Sequence, residues 1–285
     1  MVLESLVNPF KMEKSPRNMF FLGFLYSTVA LFIGFWIFKT YSSMIMVFLA
    51  TMASVPLMYH TIKWEEEKDL QDFTERMLLK EHSKALSAFL YLFIGFVLAF
   101  TFWYVVLPSG HVSTLYDTQT ATINAINGRI TGMSMSESMG LLSRIFLNNV
   151  KVLIFCILFS FLYGSGAIFI LTWNASVIGA AMGNFIRTGL AAASNTMGAG
   201  ALGHYLQVVG IGLFKYVLHG IPEILAYFTA GLAGGIISIA VIRHDFGNRK
   251  FEHILLDSAD LVLLSLGLLF LAALLEVFVT PLLFQ

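Results

Sequence analysis

The sequence predicts an all-α membrane protein of about seven transmembrane helices, with a re-entrant or interfacial helix at about 204–220. Three observations predict it. Hydrophobic residues fill 58% of the 285 positions and charged residues only 12%, about half the charged share of an ordinary soluble domain. Mean hydropathy is +0.80. The apolar residues also come in runs near the ~20 residues that a bilayer crossing needs.

In order, the runs Met19–Phe38 and Ser42–Tyr59 predict an N-terminal two-helix hairpin over residues 1–60. The first run is read as a retained helix rather than a signal peptide, because no small-residue cleavage site follows it. Residues 61–85 mix acids with bases and predict a charged helical linker on the cytoplasmic side. Residues 86–285 then predict a five-helix membrane core. Its spans are Leu86–Leu107, Val150–Thr172, Ser176–Ala192, Glu223–Ile242 and Leu261–Leu282.

Basic residues set the orientation, because lysine and arginine gather in short cytoplasmic loops. The stretch His60–Lys84 carries Lys63, Lys68, Arg76, Lys80 and Lys84, whereas Pro108–Leu147 carries Arg129 and Arg144. The N-terminus is therefore expected inside and the C-terminus outside. Arg243, Arg249 and Lys250 fall inside only if Tyr205–Leu218 does not cross. That is why this segment is read as re-entrant or surface-lying.

Net charge is zero, which excludes the basic footprint of a nucleic-acid binder. The single Cys156 excludes an intrachain disulfide. GxSxG, HExxH, Walker and CxxC patterns are absent, and the histidines His60, His82, His111, His204, His219, His244 and His253 give no metal spacing. No cofactor or metal is expected.

Polar groups within apolar runs are the candidate site, since an ionisable residue at the bilayer centre costs at least ~3 kcal/mol on insertion scales. The run His219-Gly220-Ile221-Pro222-Glu223 is the strongest case. Gly220 suits the position after a helix end and Pro222 the first turn of the next helix, so the run predicts a helix break. His219 and Glu223 would then face opposite helix dipoles. Lys215 stands four residues before His219 on the same face. Asn148 and Asn149 open the fourth predicted span, Asn174 marks the predicted turn to the fifth, and Glu276 lies in the last. Gly179 with Gly183, and Gly231 with Gly235, are GxxxG pairs that let helix backbones approach closely. Packing within the chain is their first reading and a homo-oligomer the second.

At these residues the chain resembles the stage II sporulation protein M family. That family shows paired asparagines opening a span, an N…G…G turn region, and a late HGxxE before an alanine- and glycine-rich helix. The matching positions here are Asn148-Asn149, Asn174 with Gly179 and Gly183, and His219 to Glu223 leading into Ala226, Ala230, Gly231 and Gly234. The resemblance covers about residues 86–285, and the chain departs from it at Asn174-Ala175, where the family favours glycine after asparagine. It implies a five-helix core with the polar motifs facing inward. In endospore-forming bacteria it implies a non-enzymatic membrane component of the machinery that thins peptidoglycan.

Two function classes follow. The first is a non-enzymatic scaffold or assembly component of the cell membrane, working in the lipid bilayer with other membrane or extracytoplasmic proteins. The second is a transporter or channel for a small polar or ionic solute, because broken helices with polar ends are where transporters bind substrate.

Overall fold

A computed structural model of the chain describes residues 16–69, 75–127, 135–163, 166–193, 199–242 and 249–283, and among these the fold is all-α. Helix α1 runs Pro16–Phe38 and α2 Ser42–Asp69, joined by a 3-10 turn Lys39–Tyr41. Pro16 suits a first helical position, where its missing N–H would have no intrahelical partner. The turn folds α2 back along α1: a Cβ built on Gly34 would lie 3.3 Å from the Met46 amide nitrogen, whereas twelve residues of straight helix would separate them by about 18 Å.

Helix α3 (Glu75–Val106) packs along α1. Gly23 meets the Leu92 carbonyl and Gly95 meets the Phe20 carbonyl, so the two backbones touch where neither helix has a side chain. Further on, Trp103 Nε1 donates to Thr28 Oγ1 at 3.0 Å, and Phe32 sits edge-on to Trp103 with centroids 4.6 Å apart. Rising numbers meet rising numbers, so α1 and α3 run in the same direction. The short helices α4 (Ser109–Leu115) and α5 (Asp117–Asn127) follow.

Next come α6 (Met135–Tyr163), α7 (Ala167–Ala193), α8 (Ala199–Ile242) and α9 (Arg249–Leu274), then a π-helical turn Leu275–Val279 and a last helical turn α10 (Thr280–Leu283). Among the described residues, six helical runs can by length and composition cross a membrane, with Pro16–Lys68 counted as one run across the 3-10 turn. Helix α8 is central: 83% of the most apolar 18-residue stretch within Leu218–Ile242 is buried, against 22% to 61% for the corresponding stretches of the others. Phe228 of α8 stacks on Phe89 of α3 at 5.4 Å and meets Phe93 edge-on.

Several expectations need correction. His219 to Glu223 is not a helix break, because α8 is one 44-residue helix with Pro222 inside it. Proline removes only the donor that would bond the carbonyl four residues earlier, and enclosure by neighbours sustains the rest of the ladder. Gly220 does not take the left-handed backbone that a helix end would use. For the same reason no separate helix exists at about 204–220, since those residues are the first half of α8. Within the charged stretch 61–85, α2 runs to Asp69 and α3 begins at Glu75.

The asparagines also move. Helix α6 begins at Met135, so Asn148 and Asn149 lie within it rather than at its start. The junction to α7 falls around Gly166, not at Asn174, because Ala167–Trp173 continues an apolar helix without interruption. Asn174 therefore sits inside α7, where its Nδ2 donates to the Ile170 carbonyl one turn back at 2.9 Å.

Candidate functional site

The candidate site forms where α8 enters its buried span. Glu223 is half-buried, and its Oε1 accepts a 2.8 Å hydrogen bond from the hydroxyl of Tyr227, one turn further along the same helix. Tyr227 is 1% exposed, so the phenol reaches the carboxylate with no water between them. The i,i+4 spacing that places them on one face is a property of an unbroken helix. The site therefore depends on the continuity that the sequence did not suggest.

A second carboxylate comes from the far end of the chain. Glu276 lies within electrostatic reach of both Glu223 and Tyr227. It stands in the π-helical turn, where the Thr280 amide and hydroxyl both bond the Leu275 carbonyl, the hydroxyl at 3.0 Å. A π turn inserts a residue into the helical repeat and re-aims the side chains it carries, which is why such turns recur at functional sites. The buried thiol of Cys156 on α6 is also within reach of Tyr227. The elements α6, α8 and the π turn thus pack against one another in this part of the bundle.

Of the other expected members, His219 is half-buried one turn before Glu223, and Asn149 is buried while Asn148 is exposed. The carboxylate of Glu223 is held by Tyr227. The Lys215 side chain lies outside the described residues. Asn174 is occupied with its own helix.

The glycines mark close approaches between helices. A Cβ on Gly179 would fall 2.6 Å from Phe100 Cβ, and on Gly183 2.6 Å from Tyr104 Cβ, so α7 lies tight against α3. On Gly231 it would meet Ala167 Cβ at 2.8 Å, and on Gly234 the Ile157 carbonyl oxygen at 2.6 Å. Gly235 is buried in the same helix.

Sequence reading missed two polar arrangements. Arg187 of α7 donates from Nη1 to the Tyr104 and Leu107 carbonyls, at 3.2 and 3.1 Å, and from Nη2 to Ser109 Oγ at 2.9 Å. It satisfies carbonyls that the end of α3 leaves without an intrahelical donor. The other is a buried ionic cluster joining α2 to α3. Lys68 Nζ pairs with Glu65 Oε1 at 2.7 Å and with Glu81 Oε2 at 3.5 Å, and His82 Nδ1 lies 2.7 Å from Glu65 Oε2. Glu65, Glu66, Lys68 and His82 are all buried. The i,i+3 spacing of Glu65 and Lys68 was legible; the contact across to His82 needs the fold-back of α3.

At the opposite end Tyr116, fully buried, donates to the Phe100 carbonyl at 2.8 Å, and Gln119 Nε2 bonds the Ser43 carbonyl and Ser176 Oγ, both at 3.1 Å. Burial pushes the Tyr116 phenol well above its ordinary range, so it stays a donor. These bonds fasten the α4–α5 segment onto the bundle.

No curated protein and no solved structure matches the chain. The family model described as stage II sporulation protein M matches residues 29–281. The match begins inside α1, so the likeness reaches further than residues 86–285 and takes in α2 with its ionic cluster. The chain is a multi-pass membrane protein with its apolar helices in a lipid bilayer, and with most of its length matched it belongs to the stage II sporulation protein M family.

Proposed function

We propose that this protein is a non-enzymatic assembly component of the cell membrane, with the Glu223–Tyr227–Glu276 site as the internal clamp that fixes its central helix. The observation that carries this reading is the enclosure of α8. Its span is the most buried of all, and Gly231 and Gly234 bring neighbouring helices within contact of its backbone. A helix held on so many sides is a rigid post against which other helices, and other proteins, are registered. Partners are expected among membrane and extracytoplasmic proteins, the latter meeting the α4–α5 end. We further propose that α1 and α2 cross separately, giving seven crossings with the N-terminus in the cytoplasm and the C-terminus outside.

One observation favours a second reading, transport of a small polar or ionic solute. Carboxylates inside a membrane bundle commonly mark ion pathways and proton relays, and Glu223 and Glu276 stand on elements that pack against each other. Two measurements on one pair of proteins separate the readings. Crosslinking in cells should recover protein partners with wild type and lose them with Glu223→Gln at equal expression. Ion or solute flux in proteoliposomes, present in wild type and lost in Glu223→Gln, would overturn the assembly reading in favour of transport.

A further inference from the structure

We infer that the groove at the C-terminal end of α1 is a docking site for an anionic phospholipid, with Lys39 binding the headgroup phosphate and the aromatic walls receiving acyl chain. The groove is a cavity of about 530 Å³ lined by Phe32, Ile33, Phe35, Trp36 and Lys39. Its position selects the ligand. It lies where a 23-residue apolar helix ends in the turn Lys39–Tyr41, and Trp36 and Tyr41 are 84% and 73% exposed. Aromatic residues of this kind sit at headgroup level in a membrane.

Two features distinguish the groove from an ordinary lipid-facing surface. Its floor is fixed before any ligand arrives: Phe32 rests on Trp103, which is itself held by Thr28, and Phe35 rests on the His111 ring at 4.9 Å. Its charge is also uncompensated. Among the described residues the exposed Lys39 makes no ion pair, whereas Lys68 and Lys84 both bond acids. A cation at the rim of a fixed apolar groove at headgroup depth complements a lipid that carries negative phosphate above a hydrocarbon chain. A zwitterionic lipid offers the same chain with its phosphate already balanced by its own cation.

The test uses the full-length protein in neutral detergent, with phosphatidylglycerol or phosphatidylcholine added. Native mass spectrometry counts bound lipid and thermal unfolding reads stabilisation. Wild type should retain phosphatidylglycerol over phosphatidylcholine. Lys39→Gln should weaken that retention about fivefold, the equivalent of ~1 kcal/mol per basic residue near a charged membrane surface. Lys39→Arg should preserve it, and Trp36→Ala should weaken retention of both lipids. Lys39 and Trp36 are exposed, so these variants leave the packed core intact. Equal retention of the two lipids by wild type, or an unchanged preference in Lys39→Gln, would overturn the proposal. So would inorganic phosphate alone reproducing the stabilisation, or protection of the groove by a second copy of the chain.

Discussion

The Tyr227 hydroxyl donates to Glu223 Oε1 at 2.8 Å across one turn of α8, in the part of the bundle that Glu276 reaches from the π turn. A carboxylate placed among apolar side chains is stable only if its oxygens are given donors. Tyr227→Phe keeps the ring and its packing and removes that donor. It should cost ~0.5–1.5 kcal/mol, the net worth of a typical hydrogen bond, since the half-buried acceptor is only partly cut off from other partners. Adding Glu223→Gln to Tyr227→Phe should recover part of the loss, since the charge that needed the donor is gone. Detergent thermal unfolding of the four proteins reads both effects; identical melting of wild type and Tyr227→Phe would mean that Glu223 does not rely on the phenol.

Close helix contacts give a graded series. Gly183→Leu must displace Tyr104, whose Cβ would lie only 2.6 Å from the new Cβ, and should cost ~1–3 kcal/mol by overpacking. Gly95→Ala should be worse for its size, because the obstructing atom is the backbone carbonyl of Phe20 rather than a side chain that can rotate. Gly140→Ala is the control. Nothing lies within 4 Å of its Cβ, and a helical glycine replaced by alanine gains ~0.5–1 kcal/mol. A melting order that does not follow this ranking would contradict the packing of α1 and α7 on α3.

These contacts show what could be read in advance. The membrane class and the apolar runs were legible because span length and composition are local properties. Gly183 was legible as a packing residue, since GxxxG is a local pattern, but its partner Tyr104 was not. Gly23 and Gly95 form no such pattern, because their encounter is created by the α1–α2 fold-back. Proline and glycine at 220–222 signalled a break that tertiary enclosure overrode. In the same way Tyr227 escaped notice as a partner of Glu223, since an i,i+4 bond presupposes the continuous helix.

Arg187 should be irreplaceable by lysine. Its guanidinium serves two carbonyls and a hydroxyl at once, a fan of donors that a single ammonium reproduces poorly. Arg187→Lys should lose ~1–3 kcal/mol through the carbonyls left unsatisfied, and hydrogen exchange should rise at the end of α3 and in α4. Exchange unchanged from wild type in the lysine variant would show that the fork is dispensable.

The ionic cluster predicts a larger effect. His82→Ala removes a partner of the fully buried Glu65. Breaking a buried pair from one side typically costs ~3–5 kcal/mol. Glu65→Gln combined with His82→Ala should cost less than His82→Ala alone. If the double variant is the less stable, Glu65 is not the group that His82 supports.

Orientation is open to direct labelling. Ser83 and Ser113 are exposed and Cys156 is fully buried, so a cysteine at either position can be read against a silent background. An impermeant thiol reagent on intact cells should label position 113 and spare 83. Labelling of 83 alone would reverse the proposed topology.

The most direct test of the central claim is a double-mutant cycle across Glu223 and Glu276, in which unfolding is measured for wild type, Glu223→Gln, Glu276→Gln and the pair. Residues that share one polar site show coupling of ~0.5–3 kcal/mol, whereas separated residues add within ~0.5 kcal/mol. Coupling in that range is expected, with the double variant differing from the sum of the single ones. Strict additivity would mean that the π turn does not bring Glu276 to Glu223, and that the clamp holding the central helix does not exist.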